Sequence, residues 1–133
     1  MGKYLMLEVN RENWGLTTLD DWQNVFWKVY SDGAFLVQIG FGAMKTPDDF
    51  VQKSGIMRRD LFAKLCEAMD QDWSSEYEVD GCDGEAWAFR KYSPEGGIVK
   101  NSDLGYIDDN GPLGRIVKCL PGKSFVRDNN YKL

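Results

Sequence analysis

Apolar residues recur along this chain with two distinct periods, and the switches between them mark out its elements. In KYLMLEV (3–9), Leu5, Leu7 and Val9 fall on every second position, which predicts an N-terminal strand. WQNVFWKVY (22–30), the turn SDG, and AFLVQIGF (34–41) follow the same rule. Phe35, Val37, Ile39 and Phe41 alternate on one face, so the pair predicts a β-hairpin closed by a short glycine-containing turn. A polar connection, GAMKTPDDFVQ, comes next, and Pro47 biases Thr46 away from helix. The period then changes. Leu61, Leu65 and Met69, beside Phe62 and Cys66, make one stripe at helical spacing, predicting a helix over 56–71 with Ser54 as its N-terminal cap.

EAWAFRKY (85–92), the turn SPEGG and IVK, continued by LGYI to residue 107, predict a second hairpin. Leu113, Ile116, Val117 and Leu120 return to helical spacing. Pro112 suits a first helical position and Pro121-Gly122 a stop, so a second helix is expected over 112–120. The last residues, 122–133, read as a loosely held tail. The two halves echo one another, WKVYSDG (27–33) against FRKYSPEG (89–96), although any hairpin would fill many of those positions similarly. Hairpins without strand-helix-strand crossovers imply an α+β fold: an antiparallel sheet of two hairpins plus the N-terminal strand, with two helices packed on it. At 133 residues, a single domain spanning 1–133 is expected.

Composition then narrows the chemistry. There is no histidine, which removes the commonest general base and every Ser-His or Cys-His nucleophile pair. The three cysteines, Cys66, Cys82 and Cys119, show no C-x-x-C spacing, against both a disulfide scaffold and a zinc ribbon. A reducing cytoplasm is the expected compartment. No apolar run approaches the roughly 20 residues that span a bilayer, and the N-terminus lacks a signal-peptide pattern.

Several stretches invite a chemical reading. EVDGCDGEAWAF (78–89) places Asp80 and Asp83 around Cys82, but the spacing does not build a calcium loop and no cation lies near enough to activate the thiol. It reads as a turn entering the strand of Trp87 and Phe89. IGFGAMK (39–45) lacks both the opening basic residue of an RNA-recognition motif and the helix that must follow a phosphate loop. Lys28 with Tyr30, and Arg90 with Tyr92, are basic-aromatic pairs of the kind that hold single-stranded nucleic acid, yet the net charge of −5 repels polyanions. The carboxylate pairs Asp20-Asp21, Asp48-Asp49 and Asp108-Asp109 leave open a small carboxylate-dependent enzyme, although each suits a turn or cap. No metal and no cofactor is expected.

Charge placement is the strongest anomaly. Glu67, Asp70, Asp72, Glu76, Glu78, Asp80, Asp83 and Glu85 follow one another with no basic residue between them. Removing those eight from the 21 acidic residues leaves 13 against 16 basic ones, so this segment alone makes the protein acidic. Arg58 and Arg59 stand at the start of the predicted helix and acids at its end, the reverse of what the helix dipole favours. Such a segment fits a solvated face and a binding surface alike. As a binding surface it implies a non-catalytic intracellular protein of inhibitor, immunity or phage anti-defence type, acting on a basic protein partner and not on nucleic acid or membrane directly. Glu67, Asp70, Asp72, Glu76, Glu78 and Asp80 would supply charge, with Trp73 and Tyr77 as apolar anchors.

Over residues 80–120, the pattern CDGEAW…Y…GG-I-V…LGYI…L..I resembles small cytoplasmic proteins of Gram-positive bacteria and their phages. The resemblance covers under a third of the chain, rests on strand and turn residues, and implies no activity and no site residue.

Overall fold

The computed structural model describes residues 3–13, 22–41, 50–71, 73, 85–104 and 111–130. Strands β1 (Leu5–Asn13), β2 (Trp22–Tyr30), β3 (Ala34–Phe41) and β4 (Val51–Ile56) precede helix α1 (Arg59–Met69). Strands β5 (Glu85–Tyr92) and β6 (Ile98–Leu104) follow, then helices α2 (Pro112–Cys119) and α3 (Lys123–Asn130). The fold is α+β. Six strands form one antiparallel sheet in the order β4-β3-β2-β1-β5-β6, with the helices packed on it.

The N-terminal strand is central because both hairpins pair with it. Val9 lies opposite Trp27 on β2 and Phe89 on β5, and Glu8 lies opposite Lys28 and Arg90. The echo between WKVY and FRKY is therefore a shared register. In each hairpin an aromatic residue points into the core beside Val9, and the next residue, a base, points outward beside Glu8. Alternation does the rest: Leu7, Val9, Val25, Trp27, Val29, Val37, Ile39 and Phe89 are buried together on the helix-bearing face.

Helix α1 carries the chain from the β4 edge toward β5, four strand spacings away. That distance is about 19 Å, and eleven helical residues span about 16 Å, so the helix is long enough to cover most of it. Leu65, Ala68 and Met69 face the core, where they meet Leu113 and Ile116 of α2.

Two expectations are corrected. Ser54 is not a helix cap: residues 51–56 form an edge strand, and Ser54 pairs opposite Leu36. The helix starts at Arg59, and Ile56, excluded from it, is 71% exposed. Strand β4 hides from periodicity because edge strands carry polar residues on both faces. Gly55 contributes too, since a Cβ there would come within 3.0 Å of the Phe35 ring. Likewise, the stretch expected as a loose tail carries α3, with Phe125 and Val126 packed against the core. Residues 105–107, expected to extend the second hairpin, and 131–133 lie outside the described residues.

The junction between α2 and α3 is a tight one. Trp27 Nε1 donates to the Pro121 carbonyl at 3.0 Å, tying the junction to the sheet. Gly122 follows at φ +73°, and a Cβ there would stand 2.9 Å from Val37 Cγ2. Gly122→Ala therefore combines backbone strain with a core clash, and is expected to cost about 2 kcal/mol, read from urea unfolding.

Candidate functional site

The acidic segment begins where α1 ends, and the structure shows how that end is held. The carbonyls of Cys66, Glu67 and Ala68 accept from the amides of Asp70 and Gln71, and Met69 O and the carbonyls just beyond it stand at the negative end of the dipole. Lys100, from β6, reaches under them: its Nζ donates to Met69 O at 2.9 Å and to Gln71 O at 2.6 Å. Lys91, opposite Lys100 in the β5–β6 register, donates to Asp70 Oδ1 at 3.0 Å. At the other end Arg58 pairs with Asp60 at 2.8 Å.

The reversed charges of α1 are thus matched by tertiary and local partners. Acids near a helix C-terminus cost about 0.3–1 kcal/mol each, whereas one hydrogen bond from a charged donor contributes about 1.5–3 kcal/mol. The lysine clasp outweighs the misplaced acids. Lysines facing each other on neighbouring strands are invisible to a search for apolar periodicity, and their partners lie 21 to 31 residues away in sequence.

Of the residues expected to contact a partner, Glu67 and Asp70 are exposed. Trp73 is not on the surface. It is 6% exposed, packs edge-on against Phe89 with centroids 6.4 Å apart, and lies under the Lys100 ammonium at 5.5 Å. Its place as a partner anchor is therefore corrected to that of a core residue. A bulky indole beside acids reads as an anchor in sequence, and only the sheet behind it reveals where the ring goes. Asp72, Glu76, Tyr77, Glu78 and Asp80 lie outside the described residues, as do Cys82, Asp83 and the pairs Asp20-Asp21, Asp48-Asp49 and Asp108-Asp109.

The face of the sheet opposite the helices holds both basic-aromatic pairs, as their spacing implied. Glu8 stands between Lys28 and Arg90 in register and accepts a hydrogen bond from the Tyr92 hydroxyl at 3.0 Å. Burial, with Glu8 beside it, pushes the Tyr92 phenol above its usual value, so it stays a donor at neutral pH. Lys3 lies over the Tyr30 ring at 4.8 Å. A carboxylate set between two cations weakens this face as a track for phosphates.

Among the described residues, no group of three or more Cys, Asp or Glu side chains is arranged to hold a metal ion. Asp60 has its carboxyl lowered to about 2 by the Arg58 guanidinium, opposite to the raised value of a catalytic acid. Burial raises the thiols of Cys66 and Cys119, with Asp70 adding to the rise at Cys66. Comparison with known proteins finds no match to this chain, whether among protein-family models, curated proteins or solved structures.

Two outcomes are expected from this geometry. Lys100→Met should cost about 1.5–3 kcal/mol in urea unfolding, because it orphans two carbonyls. Lys91→Met should cost about 1 kcal/mol or less, because its Asp70 partner is 72% exposed. Iodoacetamide labelling read by mass spectrometry should find Cys66 and Cys119 alkylated at least about tenfold more slowly in the native protein than in urea, since little of either thiol is ionised.

Proposed function

We propose that this is a non-catalytic binding protein whose acidic segment, beginning at Glu67, engages a basic surface on a protein partner. The observation that carries the proposal is the lysine clasp. Lys100 and Lys91 fasten the start of the segment to β5 and β6, and Trp73 anchors it in the core, while Glu67 and Asp70 remain exposed. Charges launched from a fixed base cost less ordering on association than charges on a free chain. Carboxylates so placed can occupy Lys and Arg sites much as phosphates do, and can speed encounter by steering. With Trp73 committed to the fold, Tyr77 remains as the aromatic residue proposed for the interface. A compact domain with such an acidic segment suits an inhibitor or immunity role inside the cell.

The test is a pull-down from host lysate with the wild-type chain and with a triple variant, Asp72→Ser, Glu76→Ser and Glu78→Ser. The wild type is expected to retain a basic protein, with an association rate that falls steeply as salt rises. The triple variant should lose that partner while unfolding at the same urea midpoint. Recovery of the same proteins with equal affinity from both would remove the acidic segment from the interface.

A further inference from the structure

The cationic counterpart of the acidic segment lies on the helices. Residues 111–127 contain Arg115, Lys118, Lys123 and Arg127 and no acid. Two of these cations line a cavity of about 360 Å³ between the helix-bearing face of the sheet and the α2–α3 pair. Its floor is aromatic. Trp27 and Trp87 stack nearly parallel, 11° apart with centroids at 6.1 Å, and Val117 and Val126 complete an apolar wall. The Trp27 indole N–H is bonded to Pro121 O and its ring is buried, so it backs the floor while Trp87 is the more exposed of the two.

The rim is basic. Lys123 and Arg127 lie four residues apart on α3, hence on one helical face with Val126, and both turn toward the cavity. Arg11 enters from β1, its guanidinium 5.3 Å above the Trp87 ring, a cation–π contact that holds the planar head in place. Lys123 donates one of its three N–H groups to Lys118 O at 2.7 Å, which fixes the ammonium near the α2 end. Three cations from two elements, Arg11, Lys123 and Arg127, thus line one aromatic pocket.

We propose that this cavity binds a small aromatic anion. A planar apolar ring lies against Trp87 and the valine wall, and a carboxylate or phosphate head meets Arg11, Lys123 and Arg127. The volume sits near the lower end of the roughly 300–1,000 Å³ range of ligand pockets, which suits one or two fused rings. Guanidinium groups match either head by paired N–H donors. The described lining shares no residue with the acidic segment, so each proposal can fail without the other.

The experiment titrates the full chain with 2-naphthoate and with phenyl phosphate, by calorimetry and by the indole N–H signals of the tryptophans in ¹H–¹⁵N spectra. The controls are 2-naphthamide, which keeps the ring without the charge, and acetate and inorganic phosphate, which keep a charge without the ring. Saturable binding of at least one ring-bearing anion is expected, at least about tenfold tighter than any control, and the tighter of the two identifies the head group. Lys123→Gln with Arg127→Gln, both at exposed positions, should weaken it at least about tenfold while the amide ¹H–¹⁵N spectrum remains that of the folded chain. Trp87→Leu should weaken it while leaving the head-only controls unaffected. The proposal is overturned if neither ring-bearing anion saturates by about 10 mM. It is equally overturned if 2-naphthamide binds as tightly, or if the double glutamine variant binds undiminished.

Discussion

Lys100 joins three parts of this protein at one ammonium group. It belongs to β6, it satisfies two carbonyls at the end of α1, and it lies over the ring of Trp73, the first core residue after that helix. The topology gives this contact its place. β1 waits in the middle of the sheet for β5, whose residues arrive some 80 positions later, and α1 is the element that bridges the interval. A helix that ended in solvent would leave the second hairpin free to dock loosely. A cation from that same hairpin, placed under the helix end, couples the docking of β5 and β6 to the completion of α1.

The same contact explains how the chain tolerates an acidic segment at an unfavourable place. The negative end of the helix dipole and the first acids of the segment meet Lys91 and Lys100, which face each other across the β5–β6 register. Without them, α1 would end in a run of uncompensated negative charge. With them, Glu67 and Asp70 stand exposed at a fixed point while Trp73 is drawn inward. Positive charge is correspondingly gathered on α2 and α3, so a net charge of −5 describes neither surface.

How much of this was legible in the sequence varies with the physics of each element. Strands β2, β3 and β5 bury one face in the core, and their period-two pattern predicted their bounds. The echo of WKVY in FRKY was also visible, although the shared register on β1 that underlies it was not. Strand β4 escaped because its residues are polar on both faces and its place is set by pairing with β3. Helix α3 escaped because two apolar residues, Phe125 and Val126, secure it after a proline-glycine stop. The acidic segment was plain as charge. That Trp73 leaves it for the core, and that two lysines distant in sequence hold its start, depends on non-local contacts that no local pattern carries.

Native-state hydrogen exchange measures the coupling most directly. The backbone amides of β1, bonded on both sides, should exchange only through global unfolding, and those in the last turn of α1, Cys66 to Asp70, should exchange with the same free energy. Equal protection is expected if the lysine clasp makes the helix end part of the sheet's cooperative unit. Exchange of that last turn at the rate of a frayed helix end, several kcal/mol below β1, would contradict it.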